Sequence, residues 1–205
     1  MIIFACIAPH APILLPKVGL KEDKLQIKKT LKALELLKKR FKEKNPSKII
    51  ISAPHLNWGF EVPLYFLAQN FREKIETFFI GIDSPIFYFK QGQELYKSNI
   101  KNQKDPIALI SSGDLSHRLK EEGPYGFHSE GPKFDQKLIE SLKKKDLETI
   151  FKLDELYPQA GECGLRSFCF LLGILEASKI KWNPEILSYE GPFGVGYLVV
   201  NFKLN

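Results

Sequence analysis

Three of the four histidines in this chain stand at the ends of strand-like runs. "IIFACIAPH" closes on His10, "KIIISAPH" on His55 and "IALISSGDLSH" on His117, while His128 lies in the loop that His117 opens. The first two share the tag Ala-Pro-His, and a proline before each histidine restricts the backbone that aims the ring. Imidazole is a ready ligand for borderline metals such as iron and zinc. Two neutral histidines with one carboxylate make a facial triad with open positions. Asp114 and His117 add a carboxylate and an imidazole of the kind that moves protons near neutral pH. A single histidine at a strand end is ordinarily a hydrogen-bonding loop residue, but three at one topological place point to a shared site.

A triad needs an acid, and "PQAGECGLRSFCFLLG" (158–173) supplies one. Glu162 and Cys163 stand where a strongly apolar helix begins. A carboxylate there is also what the helix dipole alone favours, so Glu162 has a plain structural reading beside the functional one. Arg166 falls one turn later on the same face, placed to pair with the acid or with an anionic ligand.

Strand character occupies 2–8, 48–53, 77–82, 106–112, 185–190 and 195–202, in near-continuous apolar runs that predict strands buried on both faces. Helical periodicity occupies 20–44, about 90–101, 133–145, 146–153 and 162–178. Segments 53–63 and 117–132, rich in Gly, Pro and aromatics, read as loops. The alternation predicts one domain over 1–205, a layered α/β/α fold with a central, largely parallel or mixed sheet. In such sheets ligands sit at the carboxyl ends of the strands, where His10, His55 and His117 would converge if their strands are parallel neighbours.

Composition narrows the function classes. The net charge is +6, but only four of the 30 basic residues are arginine, and most lysines alternate with acids and leucines at helical spacing. That is a solvated helix face, and no nucleic-acid-binding motif accompanies it. The longest apolar run, "FCFLLGIL", is too short to span a bilayer, and the apolar start lacks the basic region of a signal peptide. Three cysteines without a CxxC pair fit a reducing cytoplasm. "SSGDLSH" is not a nucleophile elbow, which disfavours Ser111 or Ser112 as a hydrolytic nucleophile. "EGPFGVGY" (190–197) has no following helix and so is no dinucleotide fingerprint. It reads as a tight turn beside the cleft, with Pro192 and Phe193 placed to wall an aromatic ligand.

"APHAPILLP", "SAPHLNW", "SSGDLSHRL", "PYGFHSEGPKFD", "GECGLRSF" and "SYEGPFGVGYLVV" occur in that order. Together they resemble the class III extradiol ring-cleavage dioxygenase (LigB-like) family, most closely its Memo-like branch in the AmmeMemoRadiSam group. The resemblance implies a LigB-like fold and Fe(II) held by His10, His55 and Glu162. It implies His117 as acid/base on a substrate hydroxyl, with Asp114 orienting or charge-stabilising it. His128 and Arg166 join Pro192 and Phe193 as substrate-binding candidates. The implied reaction is cleavage of a small catechol-like aromatic with O2.

Memo-like relatives place a cysteine where this chain has "ECG", so Cys163 competes with Glu162 for the third position. A thiolate there favours zinc or copper over ferrous iron and a metal-, peptide- or redox-binding role without ring cleavage. A metal-dependent hydrolase is a further alternative, separable by O2 consumption. Relatives in this group carry a second C-terminal domain, which a separate partner protein could supply here. Pro-rich lips and buried helices are compatible with a homodimer.

Overall fold

Apolar residues dominate Ile2–Ala8 (β1), Lys48–Ala53 (β2) and Ile107–Ser112 (β4), and these three strands lie side by side at the centre of a six-stranded sheet. The computed structural model describes residues 1–205. The sheet order is β3-β2-β4-β1-β6-β5, with β3 at Lys74–Phe79, β5 at Trp182–Glu190 and β6 at Tyr197–Leu204. The first four strands in that order run parallel, and β6 and β5 are antiparallel additions beyond β1. The sheet is therefore mixed, with helices on both faces.

The central strands alternate between two cores. Phe4, Cys6 and Ala8 of β1, with Ile49 and Ile51 of β2, face Lys28–Lys44 (α2) and Trp58–Ala68 (α3). Ala5, Ile7, Ile50 and Leu109 face Pro85–Leu95 (α4), Glu130–Lys144 (α5) and Leu165–Ser178 (α8). The two remaining core helices are Leu147–Phe151 (α6) and Leu153–Leu156 (α7), and Lys21–Gln26 (α1) precedes α2. No helix is long and apolar enough to cross a membrane.

Burial on both faces holds for β1, β2 and β4 but not for β3. That strand lies at Lys74–Phe79 instead of 77–82, alternates between exposed and half-buried residues, and forms the sheet edge. Lys74 and Glu76 supply the charges that discourage an edge from pairing with another chain, and Glu76 accepts an ion pair from the buried Lys48 at 3.0 Å. The opposite edge, β5, is likewise only partly buried, and it tolerates Pro184 and a bulge between Ile186 and Ser188. The segment 53–63, read as a loop, turns helical at Trp58. Its glycine and proline masked that start, because Asn57 O accepts from both Phe60 N–H and Glu61 N–H and sets the first turn. The helical stretch 20–44 is broken at Ile27, and the one near 90–101 begins earlier, at Pro85, capped by Ser84 and closed by a π-type turn.

Candidate metal centre

The register delivers the histidines together. Because β2, β4 and β1 are parallel neighbours, the segments leaving their carboxyl ends meet over one edge of the sheet. His10 and His55 stack edge to face with ring centroids 5.1 Å apart. Cys163 Sγ approaches His10 Nε2 to 3.5 Å, and donor atoms of His10, His55 and Cys163 all lie within 4.8 Å of one another. His10 is buried, Cys163 half-buried and His55 exposed, so the cluster opens to solvent on one side.

The loop after β4 is clamped from both flanks. Leu115 N–H donates to Gly196 O, Gly196 N–H to Ser116 O, and Leu119 N–H to Gly194 O, at 2.8, 2.8 and 3.1 Å. On the other flank, Gly164 N–H donates to Asp114 O and His117 N–H to Gly161 O, at 3.0 and 3.3 Å. Gly113 and Gly164 pass so closely that a side chain at Gly113 would collide with the Gly164 Cα, which is how the Cys163 segment reaches Asp114. Asp114 N–H then points at Cys163 Sγ, 3.4 Å away.

Beneath this loop Asp135 of α5 accepts from Ser116 N–H at 2.8 Å and from Tyr189 O–H at 2.6 Å. Burial outweighs both bonds and raises its pKa from the usual 3.8 to about 7. The unfolded chain gives up this proton near 3.8, whereas the folded chain keeps it to about 7. Asp135 therefore favours the folded state most below 3.8, and that contribution is lost as pH rises to about 7. We expect urea midpoints to decline across that window and Asp135→Asn to flatten the decline. An unchanged slope in the variant would assign the titration to another group.

Asp114 is buried, and Oδ1 accepts from His10 N–H at 3.0 Å. No hydrogen bond joins it to His117. Its Oδ2 lies 3.8 Å from His10 Nε2, and its charge reaches the His117 ring only through space. Burial lifts Asp114 to about 6. Burial, reinforced by His55, lowers His10 to about 3, and burial also lowers His117. Burial thus disfavours the protonated form of both rings, and the neutral form is the one that binds metal or accepts a proton. His117 Nε2 is buried without a partner, and the ring lies against Tyr125 at 5.1 Å between centroids.

A cavity of about 380 Å³ opens beside the cluster, between His10, His55, Asp114 and His117 on one side and Trp58, Tyr125, Val195 and Tyr197 on the other. A second, of about 330 Å³, lies across His55 and meets Glu162, Cys163 and Arg166.

The remaining sequence candidates are spent elsewhere. Glu162 accepts from Leu165 N–H at 2.7 Å, opening α8, and pairs with Arg166 at 3.1 Å, so its carboxylate is outside the donor cluster. Arg166 also binds Asp154 and Asp83 O. Its guanidinium is committed to holding α8. His128 Nδ1 accepts from Glu130 N–H at the start of α5 and does not line the cavity. Pro192 and Phe193 miss it as well; the same turn contributes Val195 and, at the strand start, Tyr197. Sequence reasoning did not find Tyr197, Tyr125 or Trp58. Each lies inside a motif already quoted, Trp58 in "SAPHLNW", Tyr125 in "PYGFHSEGPKFD" and Tyr197 in "SYEGPFGVGYLVV", but nothing there marks it as a wall of the cavity.

Comparison with known proteins then separates family from fold. Residues 54–200 match the family model described as the catalytic LigB subunit of aromatic ring-opening dioxygenase. The chain belongs to that family. Its LigB region takes in His55, Asp114, His117 and Cys163, and His10 precedes it. The chain is also 32% identical, over 95% of its length, to Protein CA_C1420 of Clostridium acetobutylicum. The match takes in 56% of that protein, so the LigB chain spans about half the length of this curated relative. The crystal structure of the uncharacterized protein JW3007 from Escherichia coli K12 shares the fold, with a TM-score of 0.62 at 12% identity, covering 97% of this chain and 99% of the other.

The donor set fits a metal ion: two imidazoles and a sulfur with donor atoms within 4.8 Å of one another, open on one side. It is not a two-histidine, one-carboxylate set. Burial and the carboxylates of Asp114 and Glu162 raise the Cys163 thiol well above its usual pKa, whereas a coordinated cation deprotonates a thiol outright. Ser112 Oγ meets His10 Nδ1 at 3.0 Å, which leaves Nε2 to face the cluster. Partners of this kind are worth about 10–100-fold in metal affinity. Ser112→Ala is expected to weaken zinc binding about tenfold, read by competition with a chromophoric chelator. An affinity equal to the parent would show that packing alone orients His10.

Proposed function

We propose that this chain holds a metal ion between His10, His55 and Cys163 and binds a small aromatic diol in the adjoining cavity, for an extradiol-type reaction with O2. The observation that carries the reading is the buried, partnerless His117 Nε2 beside an aromatic-walled cavity that His10 and His55 also line, with Cys163 bordering the second cavity across His55. A metal held there supplies an open-sided ion on which a diol and O2 can meet. His117, neutral and unpartnered, accepts the proton of a diol hydroxyl at Nε2. Asp114 favours the resulting imidazolium through its charge, and Tyr125 covers the ring. Trp58, Tyr125 and Tyr197 flank the aromatic ring of the ligand.

The sulfur favours a second reading. A nitrogen–nitrogen–sulfur set ranks copper and zinc above ferrous iron, the metal the family resemblance implied, and fits a Memo-like metal-binding or redox protein without ring cleavage. The deciding experiment is electron paramagnetic resonance of anaerobic, Fe(II)-loaded protein with nitric oxide, before and after catechol. The dioxygenase reading expects a high-spin iron–nitrosyl signal that catechol reshapes and His10→Ala abolishes. A silent sample, with copper or zinc in the isolated protein, would select the second reading.

A further inference from the structure

The charge of the cavity runs against the charge of the chain. With 30 basic residues and a net +6, the protein places no lysine or arginine among the residues lining the 380 Å³ cavity. Apart from histidine, its only ionisable acid or base of ordinary charge is Asp114, a carboxylate just 4% exposed. Trp58, Pro12, Ile13, Tyr125, Val195 and Tyr197 make up most of the remaining wall. Across His55, Arg166 borders the second cavity, but its guanidinium is already engaged by Glu162, Asp154 and Asp83 O. An anionic substituent entering this cleft would leave water for aromatic walls, find no cation of the protein, and approach a carboxylate. The volume lies near the lower end for small-molecule sites, suited to one ring.

We propose that the cleft selects a single-ring aromatic diol carrying no carboxylate, sulfonate or phosphate substituent, with the absence of a basic side chain as the specificity determinant. The claim rests on the reading that an aromatic diol is the ligand, and the test separates the two.

The chain has two tryptophans. Trp58 is about half exposed at the cleft, and Trp182 is buried on the far edge strand against Phe202. Trp182→Phe therefore leaves Trp58 as the sole fluorescent reporter. Zinc-loaded protein is titrated with 4-methylcatechol against 3,4-dihydroxybenzoate, and with p-cresol against 4-hydroxybenzoate. The methyl member of each pair is expected to bind at least about tenfold more tightly. Ile13→Arg, which puts a cation on the wall, should shrink that ratio to about threefold or less. Should that variant not fold, Tyr125→Arg at the exposed lip tests the same point.

A carboxylated member binding as tightly as its methyl counterpart overturns the proposal and leaves the diol reading standing. Diols that bind no better than the monophenols remove the diol reading, while a methyl preference in both pairs still upholds the exclusion of anions. No quenching by any of the four compounds overturns both.

Discussion

Replacing Cys163 by serine is expected to lower zinc affinity by about 100-fold or more, while Glu162→Gln should change it by less than about threefold. The contrast follows from where the two adjacent side chains point. Cys163 Sγ is within 4.8 Å of the donor atoms of both His10 and His55, whereas Glu162 closes the first turn of α8 and pairs with Arg166. Loss of the sulfur removes a ligand. Loss of the Glu162 charge removes an ion pair whose acid side chain is only 8% exposed, while the glutamine oxygen can still accept from Leu165 N–H, so the cost should appear as lower thermal stability with metal binding intact. Metal binding must also release the Cys163 proton, so affinity in the parent should fall as pH is lowered, and that dependence should weaken in Cys163→Ser. Chelator competition at two pH values measures the affinities, and thermal melts of the metal-free proteins measure the stability cost. A Glu162→Gln variant that loses zinc while Cys163→Ser retains it would place the carboxylate in the ligand set.

The largest effect on the fold is expected at the crossing of α4 and α8. Gly92 lies against Phe170 O, and Gly173 lies against Phe89 O, so each helix presses a glycine onto the other's backbone. A Cβ at either position would overlap a carbonyl oxygen, which cannot rotate aside as a side chain can. Alanine is the better helix former by about 1 kcal/mol. Overpacking against backbone costs about 1–3 kcal/mol or more, and here it should win. Gly173→Ala is expected to be destabilised by about 3 kcal/mol, a fall in melting temperature of roughly 6–12 °C for a chain of this size. An unchanged or raised midpoint would mean that the helices can separate without loss.

Much of this architecture was legible in the residues. The apolar runs of β1, β2 and β4 identified the buried centre of the sheet, and their terminal histidines identified the end that carries the site. β3 was misplaced because an edge strand keeps only one strong partner and lets its residues alternate, while the apolar Ile80 and Ile82 beyond it imitate strand. At 53–63 proline and glycine hid a helix that tertiary packing supports. The competition between Glu162 and Cys163 could not be resolved from spacing, since neighbouring residues entering a helix differ only in direction. That direction is set by the approach of Gly113 to Gly164, a contact between segments about 50 residues apart, together with the local pairing of Glu162 with Arg166. Tyr197 and Tyr125 gave no pattern of their own, because a cavity wall is assembled from elements that share no periodicity.

The clamp on the loop after β4 has a consequence for the order in which a growing chain can be completed. Leu115 and Leu119 are fixed by Gly196 and Gly194, and β1 is covered on its second side only by β6. On a ribosome, where synthesis runs from the amino end at about 5–20 residues per second, the first strand and its histidine emerge long before either partner exists. For several seconds one side of β1 is an unsatisfied edge, and the segment carrying Asp114 and His117 has half its tethers. The nascent chain thus passes through a stage with His10 and His55 both made and their setting unfinished. Ordering of the centre is deferred until the segment around Gly194–Leu204 has been made and docked.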